Sequence, residues 1–187
     1  FHLYELTLSD GAIRQLTDET GVADYEGVYL PNGNIMFSST RCEQTVPCNW
    51  VEVSNLYLMN GDGQLMRRVG FDQVHTIFPT VTDDDRVLYT RWEYTDTVHC
   101  HSRLLFHMNP DGPQQMEYLA GNSYWPNAFF YARPIPDHPT KVVGIVTGHH
   151  VGRAGRDLVV VERREDILRV APVDAPDVFT TLYNNQI

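Results

Sequence analysis

The chain has 187 residues, 42% of them hydrophobic, and a formal net charge of −10. Such an acidic chain disfavours nucleic acid and anionic membrane surfaces as partners, and it contains no apolar run of about 18 residues that would span a membrane. Its short apolar runs are separated by 13 glycines and 11 prolines, which is typical of an all-β protein with many turns. Because Phe1 already lies in a strand pattern, we expect the chain to be a fragment of a larger protein.

One pattern occurs three times along the chain, an alternating strand that runs into a turn ending in Asp-Gly. The three copies are 3–11, 55–63 and 104–112. Their aspartates, Asp10, Asp62 and Asp111, are separated by 52 and 49 residues. A repeat of that length built from hairpins is typical of the four-stranded blades of a β-propeller.

The first half of the chain predicts one partial blade and one complete blade. Strands at 3–8 and 12–16 form the outer hairpin of the partial blade. The second blade has an inner hairpin with its turn at 31–33, then a long loop at 41–54, then an outer hairpin.

The second half repeats this order and then diverges. The third blade has its inner turn at 83–85 and its long loop at 93–102. In the fourth, three prolines predict an enlarged turn over 133–140, and 163–169 reads as a short helix or a polar turn. We therefore predict an all-β chain, about three and a half blades of a propeller, as a single domain over 1–187. The approximate blades are 1–16 (partial), 24–69, 77–119 and 124–187.

Three cysteines are present, and Cys42 and Cys48 lie in one loop. They could form a structural disulfide if the protein is extracytoplasmic, or both could remain free thiols. Their spacing matches no zinc-binding pattern.

Parts of the second blade resemble the tandem repeat of TolB-type propellers, a WD40-like repeat. The matching parts are Leu16-Thr17, Asp24, the turn at 30–33 and the strand at 35–41, which ends in Ser-x-Arg. A closer resemblance, over roughly 3–162, is to the middle domain of the hydrazine synthase alpha subunit and its relatives. It rests on the segments 37–42, 55–57, 87–96 and 147–150, followed by Gly152, Arg153 and Gly155.

This resemblance implies a six-bladed propeller inside a secreted or periplasmic bacterial protein that bears haem. It implies a scaffold that positions flanking haem-bearing domains or other subunits, and at most a non-catalytic domain of an oxidoreductase. The resemblance also implies that the c-type haems belong to the flanking domains, and this chain itself lacks Cys-x-x-Cys-His. A one-cysteine haem attachment at Cys100-His101 is the alternative to an ordinary surface loop there.

The long loops at 41–54, 93–102 and 148–156 occupy the same place in successive blades, so we expect them on one face of the propeller. The candidate binding residues on that face are His149, His150, Arg153, Arg91, Glu93 and Asp96, with Trp50, His99, His101 and Arg156 as further members.

Three interpretations of this loop face remain open. His149 and His150 could ligate a metal or act as acid–base groups in an enzyme active site. The histidines and arginines could instead bind an anionic group or a haem propionate of a neighbouring domain. They could also be structural, and alternation along the strand places Arg91 beside Glu93 as an ion pair. A TolB-like module that binds a peptide or glycan is a further alternative function.

Overall fold

The computed structural model describes residues 1–94, 102–119, 128–147, 157–164, 167–172 and 180–183, and its regular elements in these ranges are all β-strands. The chain divides into two units, Phe1–Pro79 and Thr80–Ile187. The assignment of the whole chain to a single domain stays a prediction.

The first unit contains a two-stranded sheet and a four-stranded sheet, and both are antiparallel. The two-stranded sheet is β1 (Tyr4–Leu6) and β2 (Ile13–Gln15). The four-stranded sheet is β3 (Asp24–Tyr29), β4 (Ile35–Ser39), β5 (Asn55–Met59) and β6 (Arg67–Arg68), in sequence order. This is the predicted strand order of the partial first blade and the second blade.

A nine-stranded sheet occupies the rest of the described chain and begins in the strand that crosses the boundary at Pro79. Its first meander is β7 (Thr76–Val81), β8 (Val87–Glu93), β9 (Ser102–Met108) and β10 (Met116–Glu117). Its second meander is β11 (Ala128–Ile135), β12 (His138–Thr147), β13 (Asp157–Arg164), β14 (Ile167–Pro172) and β15 (Thr180–Tyr183). A parallel pairing of Ala128 with Arg103 joins the two meanders.

The hairpin turns share one backbone geometry. In the β3–β4 turn the Leu30 N–H donates to the Asn34 carbonyl at 2.8 Å, and the Gly33 N–H donates to the Leu30 carbonyl at 2.9 Å. Asp85 closes the β7–β8 turn in the same way, with a φ of 62° against 80° for Gly33, and it lies 52 residues further on. Only glycine, and less readily Asp or Asn, adopts this left-handed conformation without strain.

A second left-handed residue recurs inside the first strand of each blade. Glu26, Phe78 and Tyr131 have φ values of 58°, 59° and 55° and are spaced 52 and 53 residues apart. The strand register shifts beside Glu26 and again beside Tyr131, as at a β-bulge. The repeat therefore includes an irregularity of the strand that falls on Glu, Phe and Tyr, residue types that do not themselves indicate a positive φ.

The predicted enlarged turn over 133–140 is wrong. β11 continues to Ile135 and β12 begins at His138, so the turn consists of Pro136 and Asp137 alone. Pro134 lies within β11, beside a register shift. A proline is tolerated in a strand at such an irregularity, because no regular ladder hydrogen bond is lost there.

The expectation of a short helix over 163–169 is also wrong, while residues 165 and 166, where the alternative polar turn would lie, are outside the described residues. β13 runs to Arg164, β14 starts at Ile167, and these two residues face each other in an antiparallel pair. Leu158 to Val161 form a continuous apolar run, and the charged residues that follow it, Glu162 to Arg164, hide the extension of the strand from the sequence pattern.

The first hairpin packs on the four-stranded sheet through apolar side chains. Leu3 and Leu16 contact a buried cluster on that sheet, made of Ile35, Phe37, Tyr57 and Met59. Gly63 permits the close approach, because a Cβ atom there would lie 2.6 Å from the Leu16 carbonyl oxygen. In the second unit the core is a larger apolar cluster between the two meanders, centred on Leu104, Leu105 and Phe129.

Polar contacts accompany this packing at the surface. The Arg14 guanidinium bonds the Glu5 carboxylate at 2.8 Å and the Asp62 carboxylate at 3.1 Å. The Tyr29 hydroxyl also donates to Glu5. The Tyr29 hydrogen bond and then the Arg14 hydrogen bond lower the pKa of Glu5 below its ordinary value.

We predict that Asp85→Gly is tolerated better than Asp84→Gly, by about 1 kcal/mol in the free energy of unfolding. Asp85 has a positive φ, and glycine already occupies the equivalent position 33. Asp84 instead accepts a hydrogen bond from the Thr82 hydroxyl. Urea denaturation of the two variants measures the difference, and equal losses would contradict the shared turn geometry.

We also predict that Glu5→Gln removes a pH-dependent part of the stability. Because the folded-state pKa of Glu5 is lowered, its contribution is complete above the ordinary carboxyl pKa of 4.5 and is lost as the pH falls through the lowered pKa. The stability difference between wild type and variant, measured by denaturation at falling pH, should therefore shrink in acid. Glu52→Gln, at an exposed residue of another loop, is the control, and an identical pH profile for Glu5→Gln and wild type would refute the prediction.

Candidate functional site

Two of the six candidate binding residues lie in the described part of the chain. Arg91 and Glu93 are both on β8, two residues apart and therefore on one face of the strand. His149, His150, Arg153 and Asp96 lie outside the described residues, as do Cys100, His99, His101 and Arg156. Whether the six converge on one face stays a prediction.

Arg91 is held between a carboxylate and an aromatic ring. Its Nε lies 2.7 Å from Oε1 of Glu93, and each side chain is about a quarter exposed, at 27% and 26%. The Arg91 guanidinium carbon lies 5.0 Å from the ring centre of Phe106 on β9, within the range of a cation–π contact. The predicted ion pair is thus confirmed.

The opposite face of β8 has a matching arrangement around Trp92. This side chain is only 4% exposed. The guanidinium of Arg103 stacks on its ring at 4.1 Å, and the ring of Tyr94 meets it edge-on with centres 5.5 Å apart. Both arginines of this region are therefore engaged with neighbours on the same sheet. This favours the structural interpretation of Arg91 and Glu93, and a binding role for them stays a prediction.

In the four-stranded sheet, the positions equivalent to Arg91 and Glu93 belong to a cluster with a buried ion pair. Positions 39 and 41 lie 52 residues before Arg91 and Glu93. The Arg41 guanidinium donates two hydrogen bonds to the carboxylate of Asp24, from Nε at 3.1 Å and from Nη2 at 2.7 Å. The Ser39 hydroxyl donates to the same carboxylate at 2.6 Å. The Asp24 side chain is fully buried, and that of Arg41 is 12% exposed.

This cluster was missed as a site by sequence reasoning, although its residues were noticed within the repeat. The signal is an aspartate at the start of one strand and Ser-x-Arg at the end of its hairpin partner. β3 and β4 pair Asp24 with Ser39 directly, so the register brings the three side chains together. A buried carboxylate that already accepts three hydrogen bonds is a structural centre and not a free base.

A further, partly buried network surrounds Glu26, the left-handed residue of β3. Its Oε2 accepts hydrogen bonds from the Ser38 hydroxyl at 3.0 Å and from the Phe78 N–H at 2.9 Å. Thus the side chain of Glu26, the positive-φ residue of β3, binds the backbone of Phe78, the positive-φ residue of β7. Nearby, burial raises the pKa of Tyr25. This phenol therefore stays protonated at neutral pH and donates to the Ser54 hydroxyl.

The long loop at 41–54 folds into a small hairpin of its own. Thr45 and Glu52 form an antiparallel bridge. The Val46 N–H donates to the Val51 carbonyl at 2.8 Å, and the Trp50 N–H donates to the Val46 carbonyl at 3.0 Å. Val46 is fully buried, which anchors the loop to the sheet. Trp50 is 81% exposed and has a φ of 59°, a conformation that is rare for a bulky side chain.

Cys42 and Cys48 are both free thiols in the structure. Cys42 is half-buried and its thiol contacts the Val53 carbonyl oxygen at 3.1 Å, while Cys48 is exposed at the tip of the loop. Their pairing into a disulfide stays a prediction.

Within the described ranges, no group of three or more His, Cys, Asp or Glu side chains is placed to hold a metal ion. Those same ranges contain no helix long and apolar enough to cross a membrane.

Comparison with known proteins reveals similarity in structure only. No family model matches the sequence, and no curated protein matches it. The structure is similar to hydrazine synthase of Kuenenia stuttgartiensis, with a TM-score of 0.66 and 11% identity over 97% of this chain and 34% of that chain. It is similar to a protein assigned as TolB from Agrobacterium tumefaciens, with a TM-score of 0.61 and 16% identity over 97% of this chain and 56% of that chain. TolB from Acinetobacter baumannii gives a TM-score of 0.56 and 13% identity over 96% of this chain and 47% of that chain.

These similarities define the class of fold. The chain is a partial β-propeller, and no sheet among its described residues closes into a ring. It spans between a third and somewhat over a half of the length of the structures it resembles. The predicted resemblance to TolB-like proteins and to hydrazine synthase is confirmed at the level of the fold.

We predict that Arg41→Gln lowers the free energy of unfolding by about 3 kcal/mol, because it leaves the buried Asp24 carboxylate without its cationic partner. Glu19→Gln is the matched control. Glu19 also pairs with Arg41, but its side chain is 62% exposed, so the loss should stay below about 1 kcal/mol. Denaturant titrations compare the two. If Arg41→Gln costs no more than Glu19→Gln, the buried pair does not stabilise the sheet.

Proposed function

We propose that this chain is an interaction scaffold, a propeller segment whose loop face holds adjoining domains or a partner subunit in place. The observation that supports it most is Trp50, an aromatic side chain 81% exposed at the tip of a hydrogen-bonded and anchored loop. Buried tryptophans are among the residues that contribute most at protein interfaces. A large apolar side chain held in water in a fixed, strained conformation is pre-organised for such a contact.

The polar groups of the described sheets favour a scaffold over a reaction centre. The Asp24 carboxylate is saturated by Arg41 and Ser39, and Glu93 is paired with Arg91. A general base or a ligand needs a group that is free to meet a substrate. The enzyme hypothesis depends on His149 and His150, and no observation on the described residues favours it.

We further propose that the scaffold belongs to an extracytoplasmic bacterial protein of redox type, whose haem would be bound by flanking domains. The support is the sequence resemblance to the middle domain of the hydrazine synthase alpha subunit, together with the fold similarity to hydrazine synthase itself.

We predict that the interface includes Trp50 and excludes Leu65, an equally exposed residue on the outer turn of the same unit. A photo-crosslinking amino acid placed at position 50 of the intact protein should link to a flanking domain or a partner subunit. The same group at position 65 should give no product. Peptide mass spectrometry identifies both ends of each crosslink.

Once the partner is identified, Trp50→Ala should weaken the association by about thirtyfold, which corresponds to about 2 kcal/mol for an anchoring tryptophan, while leaving the unfolding transition unchanged. Crosslinking at neither position, with no effect of Trp50→Ala, would overturn the scaffold proposal. The redox element is tested separately by the visible absorption spectrum of the intact protein. A spectrum without haem would remove that element and leave the scaffold proposal standing.

A further inference from the structure

The first hairpin exposes a row of apolar side chains on its outer face, the face opposite to Leu3 and Leu16. Tyr4, Leu6 and Ile13 are 57%, 55% and 71% exposed. Leu6 and Ile13 are directly paired across the hairpin, so the three side chains are neighbours on one face. Exposed apolar residues are ordinary when scattered, but a contiguous set on a rigid sheet indicates a surface that another element covers.

The internal repeat identifies the equivalent residues in the next sheet. The Leu16 N–H donates to the Leu3 carbonyl at 2.9 Å, as the Val69 N–H does to the Leu56 carbonyl. Strands β1 and β2 therefore align with β5 and β6 at a step of 53 residues. At that step Tyr4, Leu6 and Ile13 correspond to Tyr57, Met59 and Met66.

The equivalent surface in the four-stranded sheet is covered. Tyr57 and Met59 are only 8% and 1% exposed, because Leu3 and Leu16 of the preceding hairpin pack on their cluster. Met66 packs against the same cluster. In the four-stranded sheet this apolar surface is buried by the preceding hairpin. The equivalent surface of the first hairpin is exposed to solvent.

A charged contact at the turns also joins the first hairpin to the next repeat, and its equivalent in the first turn has no such partner among the described residues. Arg14 of the first hairpin bonds the Asp62 carboxylate at 3.1 Å and the Gly61 carbonyl at 2.7 Å, both in the turn of the next repeat. Asp10 corresponds to Asp62 when the two turns are aligned on the glycines that follow, Gly11 and Gly63, which is a step of 52 residues. Its carboxylate accepts a hydrogen bond from the Ala12 N–H at 3.0 Å, and the described residues place no cation beside it.

We propose that the outer face of the first hairpin, formed by Tyr4, Leu6, Ile13 and Asp10, binds a further blade of the same propeller in the same polypeptide. The chemistry of the occupant follows from the contact already present between the first hairpin and the next sheet. It is a β-hairpin that lays two leucine-sized side chains over Tyr4 and Leu6 and brings an arginine to the Asp10 carboxylate. This interface is distinct from the loop face that includes Trp50. The proposal can therefore be tested independently of the proposed function.

The test is the reactivity of a cysteine placed at Ile13 in the intact protein. Ile13→Cys should react with a maleimide at least tenfold more slowly in the folded protein than in urea, with the modified peptide quantified by mass spectrometry. Leu65→Cys, at a residue 82% exposed on the corresponding turn of the next repeat, should react at similar rates in both conditions. This control removes any general effect of folding on thiol reactivity.

Charge reversal separates a specific blade contact from incidental shielding. Adding Asp10→Arg to Ile13→Cys should raise the folded-state rate at least fivefold, because the new cation repels the arginine of the occupant. Asp83→Arg, at an exposed aspartate of a different turn, should leave the protection unchanged.

Three results would overturn the proposal. They are full reactivity of Ile13→Cys in the folded intact protein, protection that Asp10→Arg does not relieve, and protection that disappears on dilution. The last would identify a second copy of the chain as the occupant.

Discussion

Each blade of this chain depends on residues held at positive φ in two places, the hairpin turn and the interior of the first strand. The turn residue closes the hairpin through its N–H and thereby fixes the register of the two strands. Since a shift of one residue would turn every side chain to the opposite face, the pairing of Val28 with Met36 and of Tyr29 with Ile35 depends on that closure. The irregular strand then positions Glu26, whose carboxylate binds the N–H of Phe78, the residue that repeats its conformation.

The polar clusters at the end of the second strand differ between blades, although the backbone conformation of the blades repeats. In the second blade an aspartate, a serine and an arginine form a closed cluster, with Asp24 fully buried. At the same repeat positions the third blade has Arg91 and Glu93, a pair that is a quarter exposed and stacked on Phe106. In both blades a polar pair with satisfied partners thus lies at the end of the second strand, although the residues that form it differ. Such a site tolerates exchange of charges more readily than it acquires catalysis, because every group already has a partner.

The sequence predicted the strands well and the irregularities poorly. Alternation and Asp-Gly turns identify local hairpins, so the strands at 55–59 and 87–93 follow from pattern alone. The prediction of a turn over 133–140 fails because proline usually interrupts a strand, whereas Pro134 lies at a register shift that only the pairing with β12 defines. Phe78 and Tyr131 give no local sign of a positive φ. For the candidate site, alternation was sufficient to pair Arg91 with Glu93. The Asp24–Arg41 pair joins side chains 17 residues apart and needs the register of β3 on β4.

The exposed apolar residues of the first unit are of two physical kinds, and the distinction bears on what this protein contacts. Tyr4, Leu6 and Ile13 repeat the positions of a surface that is buried one blade later, so their exposure is a property of the propeller ring. Trp50 projects from a loop outside the strand ladder, and its strained backbone is maintained by hydrogen bonds to Val46. Exposure of the first kind concerns how the ring is completed. Trp50 would stay exposed in a completed ring, because its loop lies outside the faces that neighbouring blades bury. The surface around Trp50 is therefore the one that a separate domain or subunit would contact.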